Sequence, residues 1–147
     1  MKNFIILSFI FLVVLVSCSS DDGNDNTIDL DAFPQEWTLV RMTIGMTDQT
    51  LTGNDMLYQE RYLLQENGSF EKIRVQDGQE SSAEGTFSYG TSDGSLNLTL
   101  NYEDGPNGII SNCGLNETEV LMFNSQKNQL ESTYQICDGP TLIYELK

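Results

Sequence analysis

The sequence contains no histidine, which removes the most common general base and the most common transition-metal ligand of proteins. Basic residues are scarce: 7 Lys and Arg stand against 22 Asp and Glu, and the formal net charge at pH 7 is −15. Because such a charge repels phosphate groups, nucleic acid is excluded as a partner. The acidic residues show no spacing that marks a catalytic pair. The sequence therefore predicts that the protein is not an enzyme and that it holds no cofactor and no metal.

One long apolar run is present, and it stands near the start of the chain at residues 4–16. It is shorter than the roughly 20 residues that cross a bilayer as a helix, and its length and flanks are typical of a secretory signal. The sequence Leu15-Val16-Ser17-Cys18 resembles the lipobox of bacterial lipoproteins, in which the Cys is lipidated and the signal is cut before it. The resemblance implies a signal peptide at residues 1–17 and a lipidation site at Cys18. An ordinary secretory signal with an incidental Cys is the alternative.

Residues 18–29 are polar and acidic, with almost no apolar side chains. Such a segment buries too little apolar surface to fold, so a disordered tether is predicted. The Ser and Asp residues after Cys18 also resemble the export signal of surface lipoproteins of Bacteroidetes. The resemblance implies a membrane partner, reached through the lipid anchor, and display on the outer face of the outer membrane. Retention on the periplasmic face is the alternative.

Two cysteines remain after Cys18, namely Cys113 and Cys137. Disulfides persist in exported proteins, and two leftover thiols there most simply pair with each other. A bridge would close a loop of about 25 residues and stabilise the fold by about 3 kcal/mol. The alternative, a Cys-based catalytic or zinc site, lacks a His partner and further thiols.

Residues 30–147 form one predicted β domain with no helical stripe of ten residues or more. Residues 95–102 give the clearest signal, because their apolar and polar side chains alternate strictly, as in a strand with one buried face. Residues 45–55 are predicted to be a polar loop. The predicted strands cover residues 37–44, 57–64, 70–76, 82–89, 95–102, 109–113, 119–123, 129–137 and 141–146.

Short turns between these strands make neighbouring strands antiparallel. Asn67-Gly68 is the strongest turn signal, because both residues tolerate the positive φ of a tight hairpin. A meander of eight or nine strands removes its exposed edges by closing on itself. The fold class predicted is therefore all-β, an antiparallel up-and-down meander that closes into an eight-stranded barrel. A two-sheet β-sandwich is the alternative, and it would need residues 45–56 as its crossover.

Three short motifs resemble the lipocalin-like lipoproteins of Bacteroidetes. They are Trp37-Thr38-Leu39-Val40 as the first strand, the hairpin Leu64–Phe70, and Glu84-Gly85-Thr86-Phe87 followed by Leu96-Asn97-Leu98. The resemblance covers residues 36–146 and implies a lipocalin-like barrel that binds a small apolar or amphipathic ligand. The chain departs from the family in lacking an Arg in its last strand to pack on Trp37, which argues against a deep open calyx.

The candidate ligand-binding residues are Tyr62, Phe87, Tyr89, Leu98 and Tyr134. They either line a pocket or fill it, since the interior of an eight-stranded barrel accommodates only its own side chains or one small ligand. Two functions stay open at this point. The protein is either a surface lipoprotein that binds a small hydrophobic ligand or one with a filled barrel that contacts a protein partner, which the sequence does not identify.

Overall fold

A computed structural model describes residues 28–103, 108–114 and 117–147. The predicted signal peptide at residues 1–17, the lipidation site Cys18 and most of the predicted tether lie outside the described residues. Within the described ranges no helix has both the length and the apolar character needed to cross a membrane.

The described chain consists of consecutive antiparallel strands, several of which are joined by short turns, while residues 103–117 form a longer connection between the sixth and seventh strands. The strands are β1 (Gln35–Ile44), β2 (Gln49–Thr52), β3 (Gln59–Leu64), β4 (Ser69–Gln76), β5 (Gln79–Ser92), β6 (Ser95–Tyr102), β7 (Thr118–Asn124), β8 (Gln129–Ser132) and β9 (Thr141–Leu146). From β3 to β9 each strand pairs with the next, and β1 pairs with both β3 and β9. Eight strands thus close into a barrel, and β2 is an extra strand on β1. The predicted all-β barrel is confirmed, and the sandwich alternative is wrong.

Strand β1 closes the barrel because it takes part in both seams. Its Trp37 lies opposite Tyr62 of β3 and opposite Leu146 of β9. The register with β9 shifts between Leu39 and Arg41. This bulge moves the inward-facing positions from Trp37 and Leu39 to Met42, and all three side chains are buried. Bulges of this kind bend a strand and increase its twist, as barrel closure requires.

The Asn67-Gly68 turn is where the sequence places it, between β3 and β4. Gly68 has a φ of 83°, and its N–H donates to the carbonyl of Gln65 at 3.0 Å. Asp77-Gly78 and Asp93-Gly94 have positive φ at both residues. That backbone conformation matches the twist of antiparallel strands.

Two predicted strands are wrong in whole or in part. Residues 109–113 are not a strand, because the carbonyl of Ile109 and the hydroxyl of Ser111 accept hydrogen bonds from the Arg74 side chain instead of a neighbouring strand. The strand predicted at residues 129–137 ends at Ser132. It is followed by a 3-10 turn, Tyr134–Cys137, which ends at Asp138 with a φ of 65°.

The predicted loop at residues 45–55 is also wrong in part, since it contains β2. Residues 49–52 fold back on residues 41–44 of β1. Asp48 enters the left-handed region, with a φ of 51°, and so permits the tight reversal. A second 3-10 turn, Gly53–Asp55, then leads towards β3.

The two ends of the barrel differ. We call the end at which β4 turns into β5 and β9 begins the mouth, and the opposite end the closed end. At the closed end, residues 28–33 run across the barrel, and Ile28, Leu30 and Phe33 pack against the core. The ring of Phe33 lies 5.7 Å from that of Phe87. Chain that precedes the strands therefore covers this end.

Candidate functional site: a buried ionic network below the mouth

Three charged side chains point into the barrel instead of into solvent. Lys72 of β4 lies between Glu60 of β3 and Glu119 of β7, and its Nζ is 3.2 Å and 3.0 Å from their carboxylate oxygens. All three side chains have 0% exposure. Charges in such a place are costly unless they are paired and hydrogen-bonded.

The oxygens of Glu119 accept hydrogen bonds from side chains on three strands. The hydroxyl of Tyr62 donates to Oε1 at 2.8 Å, and that of Tyr102 donates to Oε2 at 2.5 Å. Lys72 donates to both oxygens, at 3.3 Å and 3.0 Å. The carboxylate is thus surrounded by donors, as a buried anion requires.

Glu60 has a matching set of partners. The Nε of Arg74 donates to its Oε2 at 2.6 Å, and the hydroxyl of Tyr144 donates to its Oε1 at 2.6 Å. Together with Lys72 and Glu119, these residues place two cations against two anions. In the described chain no buried side-chain nitrogen or oxygen lacks a hydrogen-bond partner. We call Glu60, Lys72, Arg74 and Glu119, with their tyrosines, the ionic network.

Arg74 closes the network on the side of the mouth. Its Nη1 donates to the carbonyl of Gly108 at 3.1 Å, and its Nη2 donates to the carbonyl of Ile109 at 3.1 Å and to the hydroxyl of Ser111 at 3.2 Å. The guanidinium also lies over the ring of Tyr58, 4.0 Å from its centre. Residues 108–111 therefore cover the network, held there by side-chain contacts.

Burial raises the pKa of the tyrosine hydroxyls of this site. Removal from water raises the pKa of Tyr62, Tyr102 and Tyr144 well above the usual value of 10.0, and the nearby carboxylates raise it further. Burial also raises the pKa of Tyr58 to about 12, with the charge of Glu60 adding to it. All four phenols therefore stay neutral at any physiological pH, and those of Tyr62, Tyr102 and Tyr144 stay donors to the carboxylates.

A disulfide lies beside the cover formed by residues 108–111. Cys113 and Cys137 are bonded, with their Cα atoms 5.5 Å apart. The bond joins the segment after Ser111 to the 3-10 turn that precedes β9. The disulfide predicted from the cysteine count is confirmed.

The five candidate ligand-binding residues lie in three places. Tyr62 and Leu98 are fully buried in the middle of the core. Phe87 and Tyr89 face the closed end, where Phe87 contacts Phe33 and the Tyr89 hydroxyl donates to Gln35 at 2.7 Å. Tyr134 belongs to the 3-10 turn near the mouth. The structure does not bring the five together around one pocket.

The ionic network was not predicted from the sequence, although the alternation of residues along the strands contains the signal for it. Lys72 alternates with Phe70, and Glu119 alternates with Leu121, both of which are inward-facing core residues. Charged residues are usually assigned to the wet face of a strand. Strict alternation would have placed these two inside.

The network offers little to a chemical reaction. Both carboxylates are fully buried and are paired with cations, so neither meets a substrate or solvent water.

The residues Gly90–Gly94 fit the spacing Gly-x-Ser-x-Gly. They form the end of β5 and its hairpin turn into β6, whereas the Gly-x-Ser-x-Gly nucleophile of an α/β-hydrolase sits on a strand-to-helix turn. Among the described residues no group of acidic or Cys side chains is placed to hold a metal ion.

Comparisons of the chain with protein-family models, with curated proteins and with solved structures found no match.

Proposed function

We propose that the chain is an exported lipoprotein, anchored in the outer membrane at the cell surface through Cys18, with a filled barrel that acts through its surface on a protein partner. The ionic network is the observation that carries the proposal. An apolar ligand in the part of the barrel that the ionic network occupies would have to displace paired charges. It would leave one of them unpaired in the interior, which is strongly unfavourable. The resemblance to lipocalin-like lipoproteins then concerns the barrel and not the transport of a ligand.

Exposed apolar side chains at the mouth support a contact with a partner there. Among the residues that the structure describes, three large ones are exposed: Met46 by 92%, Leu57 by 58% and Ile136 by 80%. Met46 follows the end of β1, while Leu57 and Ile136 precede β3 and β9, so all three belong to the same end of the antiparallel barrel.

Acidic residues flank these apolar side chains. Exposed Asp48, Asp55 and Asp138 each lie two residues from Met46, Leu57 and Ile136, respectively. The partner that fits is a protein with a basic surface that also presents apolar side chains. Complementary charge would speed the association of this partner with the barrel, and contact between apolar side chains would stabilise the complex.

A small apolar ligand is the second candidate, and one observation favours it. Phe87 and Tyr89 are only partly buried beneath residues 28–33, which are not part of the sheet. Displacement of Phe33 would expose an apolar part of the interior at the closed end.

A fluorescent fatty acid, titrated into the chain from residue 19 onward, separates the two candidates. We expect no saturable binding to the unchanged chain, to the Phe33→Ala variant or to the control Ile136→Ala, because the interior is occupied. Saturable binding that Phe33→Ala strengthens and Ile136→Ala does not would establish the carrier function instead.

The anchor is tested separately by fractionation of cells that produce the full chain. Cys18→Ala should move the protein out of the membrane fraction, since no thiol is left to carry lipid, whereas Ser20→Ala should leave it there. A Cys18→Ala protein that still fractionates with membranes as a processed chain would exclude the lipid anchor.

The partner surface is tested with a photo-crosslinking residue in intact cells. Placed at Met46, Leu57 or Ile136, it should give the same crosslinked product, and placed at Gln126, in the hairpin turn at the closed end, it should give none. Equal products from both ends, or none from the mouth, would contradict this assignment.

A further inference from the structure

The barrel mouth contains a polar cleft that neither proposed function requires. Its volume is about 450 Å³, and its lining includes Arg74, Gln76, Asp77, Gln79, Ser81 and Ser82. Arg74 lies opposite Ser81 in the β4–β5 ladder, and Gln76 lies opposite Gln79. The side chains of these two pairs lie on the same face of the sheet as the buried side chain of Lys72. The cleft therefore opens from the interior side of the barrel, on the mouth side of the ionic network.

Apart from Arg74, the polar side chains that line the cleft have no partners among the described residues. In the part of the chain that the structure describes, the side chains of Gln76, Asp77, Gln79, Ser81 and Ser82 make no hydrogen bond or ion pair. A second cleft, of about 470 Å³, differs in this respect. It is lined by Glu36 and Lys147, which already form an ion pair at 2.7 Å. The mouth cleft thus concentrates donors and acceptors that a ligand could use.

The chemistry of these groups selects an uncharged ligand. Arg74 supplies no free cation, because its charge is paired with Glu60 and four of its five N–H donors bind Glu60 and the cover at residues 108–111. Asp77 is the one uncommitted charge among these lining residues, and it repels anions, as does the net charge of −15. Amides and hydroxyls each donate and accept, and they match ligand hydroxyl groups, which do the same.

Size and wall composition agree with a small ligand. Ligand sites in proteins have volumes of about 300–1,000 Å³ and combine a few convergent polar groups with apolar surface. Ile109, which is buried against the core, lies in the wall of the mouth cleft and supplies such surface. The disulfide at Cys113 holds the segment that carries Ile109.

We propose that the mouth cleft binds a small, uncharged, polyhydroxylated molecule of the saccharide class through Gln76, Gln79 and Ser81. This site goes beyond the surface function proposed above. It lies at the open end of a barrel whose middle is closed, and it uses polar groups where an apolar pocket was expected.

The test is ¹H–¹⁵N NMR of the chain from residue 19 onward, with glucose, N-acetylglucosamine and maltose as probes. At least one probe should give saturable shifts that centre on residues 74–82 and 108–109. Gln79→Ala should weaken that binding about tenfold, which is the worth of one or two lost hydrogen bonds. The control Gln126→Ala, in an exposed turn at the closed end, should leave it unchanged.

Three outcomes would overturn the proposal. One is the absence of saturable shifts with all three probes. Another is binding that Gln79→Ala leaves unchanged while its spectrum shows a folded protein. A third is tighter binding of acetate than of any sugar at the same residues, because an anion site would mean that Arg74 is available. A negative result here would leave the anchor and the partner surface intact, because those are measured separately.

Discussion

Lys72 is the residue that compensates the buried negative charges of the interior. It is the cation shared by the two buried carboxylates, and its Nζ also approaches the Ser111 hydroxyl at 3.5 Å and the face of the Tyr62 ring at 5.0 Å. Its removal would leave Glu119 with no cation and Glu60 with Arg74 alone. A buried ion pair is weak evidence for stability by itself, but the loss of one partner leaves an uncompensated charge.

We therefore expect Lys72→Met to lower the free energy of unfolding by about 3–5 kcal/mol. Lys127→Met is the matched control, because Lys127 lies in an exposed turn at the closed end, and it should cost less than about 0.5 kcal/mol. Urea unfolding monitored by circular dichroism gives both values. A Lys72→Met variant as stable as the control would mean that the ionic network does not hold the interior together.

The tyrosines give a second prediction at the residue scale, in alkaline solution. The folded state raises the pKa of five of the six tyrosines, with Tyr58 and Tyr89 at about 12 and Tyr62, Tyr102 and Tyr144 also raised. In the unfolded chain all six should ionise near pH 10. Because the raised pKa values belong to the folded state, their contribution to stability is complete below about pH 10 and is lost as the pH rises through them.

Absorbance at 295 nm should therefore show few ionised tyrosines in the folded protein at about pH 11, and nearly all of them in guanidinium at the same pH. Further ionisation should accompany unfolding. If all six ionise near pH 10 while the circular dichroism stays native, the interior is open to water.

At the scale of the elements, β5 shows how closely two strands approach. A Cβ added at Gly85 would lie 2.0 Å from the backbone oxygen of Asn101 and 2.9 Å from the Phe70 ring. On the same strand, a Cβ at Gly90 would meet only the Asn97 side chain, at 3.4 Å. Gly85 is thus required by the contact between β5 and β6, and Gly90 is not.

Gly85→Ala should consequently destabilise the fold by about 1–3 kcal/mol or more, because the backbone of β6 must move. Gly90→Ala should change stability by less than about 1 kcal/mol, since Gly already weakens a strand. Thermal unfolding of the two variants side by side is the measurement. Equal effects would show that β5 and β6 lie further apart at Gly85 than described.

The strands were predictable where alternation was strict and turns were marked by glycine, as in β3, β4 and β6. The bulge in β1 was not, because Leu39, Val40 and Met42 are all apolar and either register fits the pattern. The strand predicted at 109–113 failed because side-chain hydrogen bonds from Arg74 use the segment's polar groups. Such competition depends on residues about 35 positions away in sequence, which local patterns do not report.

At the scale of the whole molecule, the closed barrel followed from the short connections and the absence of helical stripes. The kind of side chain that occupies the interior of the barrel could not be predicted from these two features. An apolar lining was expected, and the part of the interior nearest the mouth also holds the ionic network beside buried apolar side chains. The sequence marks this only through the alternation of Lys72 and Glu119 with core residues, and the balance of charges appears only when the three strands β3, β4 and β7 are brought together.

The central claim is that the barrel is filled by its own side chains. The most direct test is native mass spectrometry of the chain from residue 19 onward, purified gently from a bacterial periplasm, with the Lys127→Met variant as a handling control. We expect a mass equal to that of the polypeptide with its Cys113–Cys137 bond, because a barrel filled by its core side chains and the ionic network would hold no apolar ligand. A reproducible adduct that fragments to a lipid or another apolar molecule would contradict the claim and would identify the protein as a carrier.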